Sequence, residues 1–572
     1  MTMKKTTLLV IFFAAFQLNG QTIVPTTPQN KKVILEEFTG VNCVYCPDGH
    51  TIANAIKNAN PTNVFLINVH VGGYATPTSG QPDFRTPFGT GIANQSGLTG
   101  YPAGTVNRTV FPGNAQNGGT GTAMSRSKWA ASSNQIIAQS SYVNLATTAT
   151  INVNTRLLTV LVEAYYTGSS PVAANNLNVA FLQNNTVGPQ TGGNLGNNYN
   201  HQHRLIHMLT WQWGEVINTT STGTFVTRTY TYTIPASYNN IIAEMGEFEI
   251  VAFMAEGQQK IISGNGTVPS YSGLSASDVK VKEVESIENQ CTTSISPKIK
   301  IQNYGQAALT SLPITYSING GTPQVYNWTG NLVSFAKQTV TLPAITYNLL
   351  NSNTLNVSLP ADANVSDNTG SVTFAKAAVT TQTNITIKIT LDQYGSETSW
   401  QLLNSSNLPV VSSPTYTDSA AAGSYPQPNI DITLPFDCYR FVINDSFGDG
   451  MVGNYGTGSY EVLANGVLIP GSEGGAFGSS ETKVFQVANV LGVENFTTNE
   501  ITLYPNPSNG IFTINTQLPT NVIAIDVAGK EVFRMLNVNN QTTLNLSQLQ
   551  KGLYLLKLSN ELGEQTKKII ID

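Results

Sequence analysis

Charged side chains are scarce. Asp, Glu, Lys and Arg make up 11% of the 572 residues, against about 25% in an average globular protein. Apolar residues stand at an ordinary 40%, so Asn, Thr, Ser, Gln and Gly have replaced the missing charge. That balance excludes a charge-rich disordered chain. The formal net charge is −5 and no Lys/Arg run occurs, so nucleic acid is not an expected partner. Beyond the N-terminus no segment approaches 18 consecutive apolar residues, and no transmembrane helix is expected. Gly-x-Ser-x-Gly, His-Glu-x-x-His and phosphate-loop patterns are missing, which removes the hydrolase, zinc-protease and nucleotide templates. Cysteine is limited to Cys43, Cys46, Cys291 and Cys438.

The first residues explain part of this. Lys4-Lys5, the apolar run Leu8 to Phe16 and the small residue in Asn19-Gly20-Gln21 form a secretory signal over residues 1–20. The run is too short to span a bilayer as a helix. Export to an oxidising compartment permits disulfides. Four cysteines allow three pairings; the close pair Cys43/Cys46 is the obvious one, and the pairing of Cys291 with Cys438 stays open.

At roughly 150 residues per domain the length suggests about four domains. After a Thr/Pro linker (22–30), Val33 to Phe38 reads as a buried strand, Ile52, Ala55, Ile56 and Ala59 as a helix face, and Val64 to His70 as a second strand. A strand–helix–strand order favours a parallel pair. The Cys43-Val-Tyr-Cys46 pair sits at the strand-to-helix junction, where a helix N-terminus stabilises a thiolate. Residues 123–140 read as a further helix. From Tyr142 onward, strand-sized runs alternate with turn residues, the texture of β-sandwiches.

Two other groups carry metal-type residues. His201, His203 and His207 fall within seven residues, and on one strand they would share a face; a strand entering a sandwich, with exposed polar side chains, is the simpler reading. Asp445 and Asp449 bracket a Gly turn, with Asp392, Glu397 and Glu481 in the same charge-poor stretch. Such carboxylates offer hard oxygens to Ca²⁺, and calcium is the cofactor they would take; closing tight loops by Asx turns is the alternative.

Here resemblances enter. The order strand, Cys-x-x-Cys-Pro47, helix, strand, then Gly100-Tyr101-Pro102 resembles the thioredoxin superfamily. In that family Pro102 would be cis and face the cysteines, and Glu37 would be the buried proton-relaying carboxylate. Glu36-Glu37-Phe38-Thr39-Gly40, the cysteine pair, Gly100-Tyr101-Pro102 and Asn107-Arg108 resemble the 28-kDa outer-membrane-protein-related family, surface or secreted proteins with a thioredoxin-like start and a β-sandwich after it. The stretch after Cys291 resembles an immunoglobulin-type adhesion module. Leu503-Tyr504-Pro505-Asn506-Pro507-Ser508, then Asp526 to Lys530, Lys551-Gly552-Leu-Tyr554 and Lys567-Lys568, resemble the type A C-terminal sorting domain of the type IX secretion system.

The resulting expectation is a mainly β, multidomain chain. It comprises a signal peptide (1–20), an α/β thioredoxin-like domain (31–140), a β-sandwich of the outer-membrane-protein-related family (141–285), an immunoglobulin-like module (286–378), a β-sandwich with Asp/Gly-rich loops (379–490) and a small β-sandwich sorting domain (495–572). The resemblance implies Sec-dependent export to the periplasm, engagement of the type IX machinery through residues 495–572, attachment to surface lipopolysaccharide or release, and an unknown extracellular ligand. Two functions follow: a surface binding or adhesion protein with an inert Cys43–Cys46 bond, or an extracellular thiol–disulfide oxidoreductase. In the second, Cys43 attacks, Cys46 resolves, Glu37 relays a proton and Pro102 shapes the groove.

Overall fold

The computed structural model describes residues 23–489 and 501–572 except 79, 194, 517, 561 and 562; the expected signal peptide lies outside them. The chain divides into two compact units, 1–488 and 489–572. Among the described residues no helix is long and apolar enough to cross a membrane.

The first unit opens with β1 (Val33–Thr39), α1 (Cys46–Ala59) and β2 (Val64–His70). β1 and β2 pair in parallel, with Glu37 opposite Asn68 and Thr39 opposite His70. Both strands are buried throughout, as a strand covered on two faces must be. Next come α2 (Gly89–Ser96), β3 (Ala103–Val106), β4 (Met124–Ser125) and α3 (Trp129–Ile137). The helix read over 123–140 is thus shorter, because Ala103 and Gly104 on β3 draw Ser125 and Met124 into a ladder. One face of β1 and β2 packs on α1 and α3 through Val33, Leu35, Ala53, Ile56, Leu66 and Trp129.

Then follow β5 (Val143–Asn152), β6 (Leu157–Tyr166), β7 (Asn175–Gln183), β8 (Thr186–Gly188), β9 (Tyr199–His201), β10 (Arg204–Met208), β11 (Glu215–Ile217) and β12 (Phe225–Thr233). A short hairpin of β13 (Ser237–Tyr238) and β14 (Ile241–Ile242) precedes β15 (Phe248–Glu256) and β16 (Gln259–Thr267). The sheet order β16-β15-β7-β10-β2-β1-β3-β4 crosses the boundary placed at 140/141. The join is the parallel pairing of Arg204 with Asn68. Residues 31–140 and much of 141–285 therefore share one sheet. The physical cause is visible in β7 and β15, which are apolar on both faces. Val179, Phe181, Ile250 and Ala252 pack against β5 and β6, while Ala180, Leu182, Val251 and Phe253 pack with Ile34, Phe38 and Phe65. The linker is also held: Ile23 N–H and Val24 N–H both donate to the buried Glu163 carboxylate, at 2.7 and 3.1 Å.

The strand Val279–Val284 pairs with Lys298–Asn303, so the next module begins before residue 286. Its second sheet runs Gln324–Leu332, Leu309–Ile318, Ser352–Ser358, Thr369–Ala375 around Ile314, Tyr316, Trp328 and Leu355. The following module packs two five-stranded sheets around Trp400, Phe441, Ile443 and Tyr460. Cys291 and Cys438 form a disulfide between these two modules. Beside it, Arg440 makes a two-point ion pair with Glu288, Nε and Nη2 lying 3.0 and 2.9 Å from the carboxylate oxygens.

The second unit has a three-stranded and a four-stranded sheet enclosing Phe512, Ile514, Val522, Leu544, Leu556 and Ile569. The Pro-Asn-Pro turn has a clear function in it. Asn506 donates to the Lys568 carbonyl and accepts from Ile570 N–H, both at 2.9 Å, and Ser508 N–H donates to the Ile570 carbonyl at 3.0 Å. The opening motif thereby clamps the last strand of the chain.

Candidate functional site

β1 places Thr39 at its end, and the chain turns through Gly40 to Cys43. Cys43 N–H donates to the Gly40 carbonyl and Cys46 N–H to the Cys43 carbonyl, at 3.1 and 3.2 Å. Cys46 is the first helical residue of α1 and Cys43 lies in the turn before it. The helix thus begins a turn later than the sequence suggests, because Pro47 is favoured only in the first helical turn. The two cysteines are bonded to each other. Cys46 is fully buried and Cys43 is 3% exposed, whereas Val44 and Tyr45 between them are exposed.

A segment from far along the chain covers the pair. Gln190, itself buried, donates through its amide nitrogen to the Cys43 carbonyl at 2.9 Å and to the Gly40 carbonyl at 3.2 Å. Thr191 N–H donates to the Val41 carbonyl at 2.7 Å. Gly192 approaches so closely that a Cβ there would lie 2.2 Å from the Val44 carbonyl oxygen.

Beneath the pair, two adjacent glutamates have opposite fates. Glu36 is neutralised by Arg108, whose Nε donates to it at 2.7 Å. Glu37 points to the α1 side, is fully buried, and neither of its oxygens has a hydrogen-bond partner. Burial pushes its carboxyl well above the ordinary range, because desolvation penalises the anion. Gly49, one turn after Cys46, makes the room: a Cβ there would sit 2.7 Å from Glu37 Oε1 and 3.1 Å from Pro102 Cβ. The Tyr101–Pro102 peptide is cis. Cys46, Gly49 and His50 share the buried face of α1. His50 Nε2 is 2.9 Å from Thr39 Oγ1 and 3.9 Å from Glu37 Oε1, and its Nδ1 is 2.7 Å from the Tyr199 hydroxyl. Desolvation lowers the His50 pKa to about 4.

The three histidines 201, 203 and 207 do not share a face. Positive φ at His203 and a bulge after Leu205 break the alternation. His201 turns in toward His70 and Tyr199; His203 Nδ1 pairs with Glu249 at 2.6 Å; His207 stacks on Tyr232. The shared metal face is excluded by this divergence.

The acidic group is partly assembled. Carboxylate oxygens of Glu397, Asp445 and Asp449 lie within 4.8 Å of one another. Desolvation, then the neighbouring carboxylates, push Glu397 up to about 8; desolvation chiefly lifts Asp445 to about 7. Asp392 stands near enough to raise Glu397 and Asp445 but accepts from Tyr394 N–H at 3.0 Å. Glu481 belongs elsewhere: it accepts from the Tyr460 hydroxyl and pairs with Lys483. Asp418, which the sequence did not single out, adds negative charge near Glu397. Gly448 and Ser479 of these loops touch Gly196, in the connection that also carries Gln190.

The sign of the pH effect follows. Glu397 and Asp445 hold their protons in the fold to higher pH than in the unfolded chain, so the folded state binds the extra protons. Stability should therefore fall as pH rises from about 4 to about 8 without a cation. A cation that binds only the folded form adds RT ln(1 + [L]/Kd), about 2.7 kcal/mol at a hundredfold excess over Kd. Melting residues 1–488 in calcium and in chelator at pH 7.5 should show the higher midpoint in calcium, and Asp445→Asn should remove the difference. Identical curves would leave these carboxylates a turn network.

Comparison with known proteins bears on the same regions. Residues 91–267 match the family model described as outer membrane protein Omp28, and residues 502–572 match the secretion system C-terminal sorting domain. Among solved structures, HBP35 of Porphyromonas gingivalis is similar at 16% identity over 61% of this chain and 98% of that one, with a TM-score of 0.34. A domain of the outer membrane lipoprotein Omp28 from the same organism is similar at 18% identity over 23% of this chain and 90% of that one, with a TM-score of 0.17. No curated protein matches the chain. The chain thus carries an Omp28 segment and a type IX C-terminal sorting domain, and it is secreted to the outer membrane or cell surface.

Proposed function

We propose that this exported surface protein carries a thiol–disulfide exchange centre at Cys43 and Cys46, built on a thioredoxin-like arrangement, with the sandwich modules as its binding arm. The observation that carries the reading is Glu37. An unpartnered buried carboxyl is costly, and a merely structural disulfide gains nothing from one. A proton donor on the buried face of α1 that Cys46 shares is what exchange requires: when an incoming thiolate attacks Cys43 Sγ, the S–S bond breaks and Cys46, fully buried, leaves as a thiolate that needs a proton. Glu37 supplies it, and cis Pro102 lies against the same helix position. Gln190 holds the covering segment, so a protein substrate reaches Cys43 after that segment moves.

An insulin-reduction assay tests this. The parent should turn over with a dithiol as reductant, and Cys43→Ser should not. Gln190→Ala, which frees the Cys43 and Gly40 carbonyls, should raise the rate several-fold. A parent as inactive as Cys43→Ser would reduce the pair to a staple and leave the adhesion reading, with the sandwich modules as the working part.

A further inference from the structure

We infer that His50 and Tyr199 form a proton path between Glu37 and solvent, acting as positioning residues that reload Glu37 after each exchange. The inference rests on the exchange reading above and adds residues to it.

The geometry is a chain of contacts. Glu37 Oε1 lies 3.9 Å from His50 Nε2, a separation that such resting sites close when a proton moves. The other ring nitrogen is 2.7 Å from the Tyr199 hydroxyl. Tyr199 is half-buried, so its side chain lies between the interior and the surface. Thr39 Oγ1, 2.9 Å from Nε2, fixes the ring plane. β1 supplies Glu37 and Thr39, α1 supplies His50, and β9 supplies Tyr199. A neutral imidazole accepts on one nitrogen and donates from the other, which is what a relay needs. The groups facing His50 support neutrality: His70 from β2 and His201 from β9 are buried and pushed down in pKa, His70 by desolvation and then by His201, Arg204 of β10 and His50, His201 by desolvation and then by His50 and Arg204. A charged His50 would meet three cationic or potentially cationic neighbours. Glu37 is the one acid in this group.

The proton balance is closed. A dithiol thiolate forms a bond to Cys43 Sγ, the Cys43–Cys46 bond breaks, and Cys46 sulfur takes the proton of Glu37. The Glu37 carboxylate then accepts a proton from His50 Nε2, while His50 Nδ1 accepts the Tyr199 hydroxyl proton, and Tyr199 is reprotonated from solvent. The second thiol of the reductant displaces Cys43 as a thiolate, and its own proton goes to solvent. The dithiol is oxidised and the protein disulfide reduced.

The test is the rate at which dithiothreitol reduces this bond in the full chain between pH 5 and 9, read by alkylation and peptide mass spectrometry so that Cys291–Cys438 is scored separately. Tyr199→Phe keeps the ring against His50 and His201 and removes only the hydroxyl. It should slow reduction about tenfold below pH 8 with an unchanged melting midpoint, and millimolar imidazole or acetate should restore the rate. His50→Gln should do the same, and the double variant should be no slower than either. Glu37→Gln should be slow and not rescued. A Tyr199→Phe profile superimposed on an active parent, or a loss that small acids do not restore, would overturn the relay alone. A parent no faster than Glu37→Gln would overturn the exchange reading and the relay with it.

Discussion

Removing residues 489–572 should hold the protein in the periplasm, folded, with both disulfides formed. The last 84 residues form their own compact unit with their own core, and the cores of the first unit are built from its own residues. Surface protein, measured by protease accessibility on intact cells, should fall to background, while the periplasmic fraction keeps the parent's melting midpoint. A finer version uses Asn506, whose amide holds both Lys568 and Ile570. Asn506→Ala removes two exposed hydrogen bonds to the backbone of the last strand, at about 1 kcal/mol each, and should free the terminal strand. Export should drop in proportion. Normal surface levels in the truncated form would mean that the address lies elsewhere in the chain.

The second large effect belongs to Glu37→Gln, and it acts in two opposite directions. The unfolded chain releases this proton near pH 4.3; the fold keeps it well beyond. Over that window the folded state binds one more proton, so the parent loses stability as pH rises, by about 1.4 kcal/mol per unit while the difference persists. Glutamine carries no such proton. Glu37→Gln should therefore melt at the parent's temperature near pH 4 and progressively above it toward pH 8, while disulfide exchange slows by at least tenfold. Thermal scans at fixed pH read the first effect and insulin reduction the second. A constant offset between the two melting curves would show that Glu37 is ionised in the fold. Raised stability with lost activity is the signature of a residue kept for its chemistry.

How much of this was legible follows from distance along the chain. Cys43, Cys46, Glu37 and Pro102 belong to short patterns that one strand, one turn and one helix fix locally, and the structure brings Glu37 and Pro102 to the same point on α1. Gln190 and Tyr199 were not visible, because they arrive from some 150 residues away on a Gly/Asn-rich connection without local periodicity. The shared face of the histidine group fails for a local reason: alternation assumes extended backbone, and His203 has left it. Glu481 looked like a ligand in sequence, but register pairs it with Ile443, and its carboxylate is taken by the Tyr460 hydroxyl and Lys483. The domain edges at 140/141 and 285/286 are each crossed by a sheet, since turn signals mark where strands end and say nothing of which sheet they join.

The disulfide between Cys291 and Cys438 has a mechanical consequence. These residues are 147 positions apart, and the bond makes that stretch a side loop of the covalent path. A pull applied to the chain from both ends passes through the two sulfurs and bypasses residues 292–437, which hold most of one sandwich and half of the next. At about 3.4 Å per extended residue, roughly 500 Å of chain is withheld from extension while the bond is intact. The oxidised protein should thus resist shear at a cell surface as a short tether, and a reducing environment should convert it into a long one.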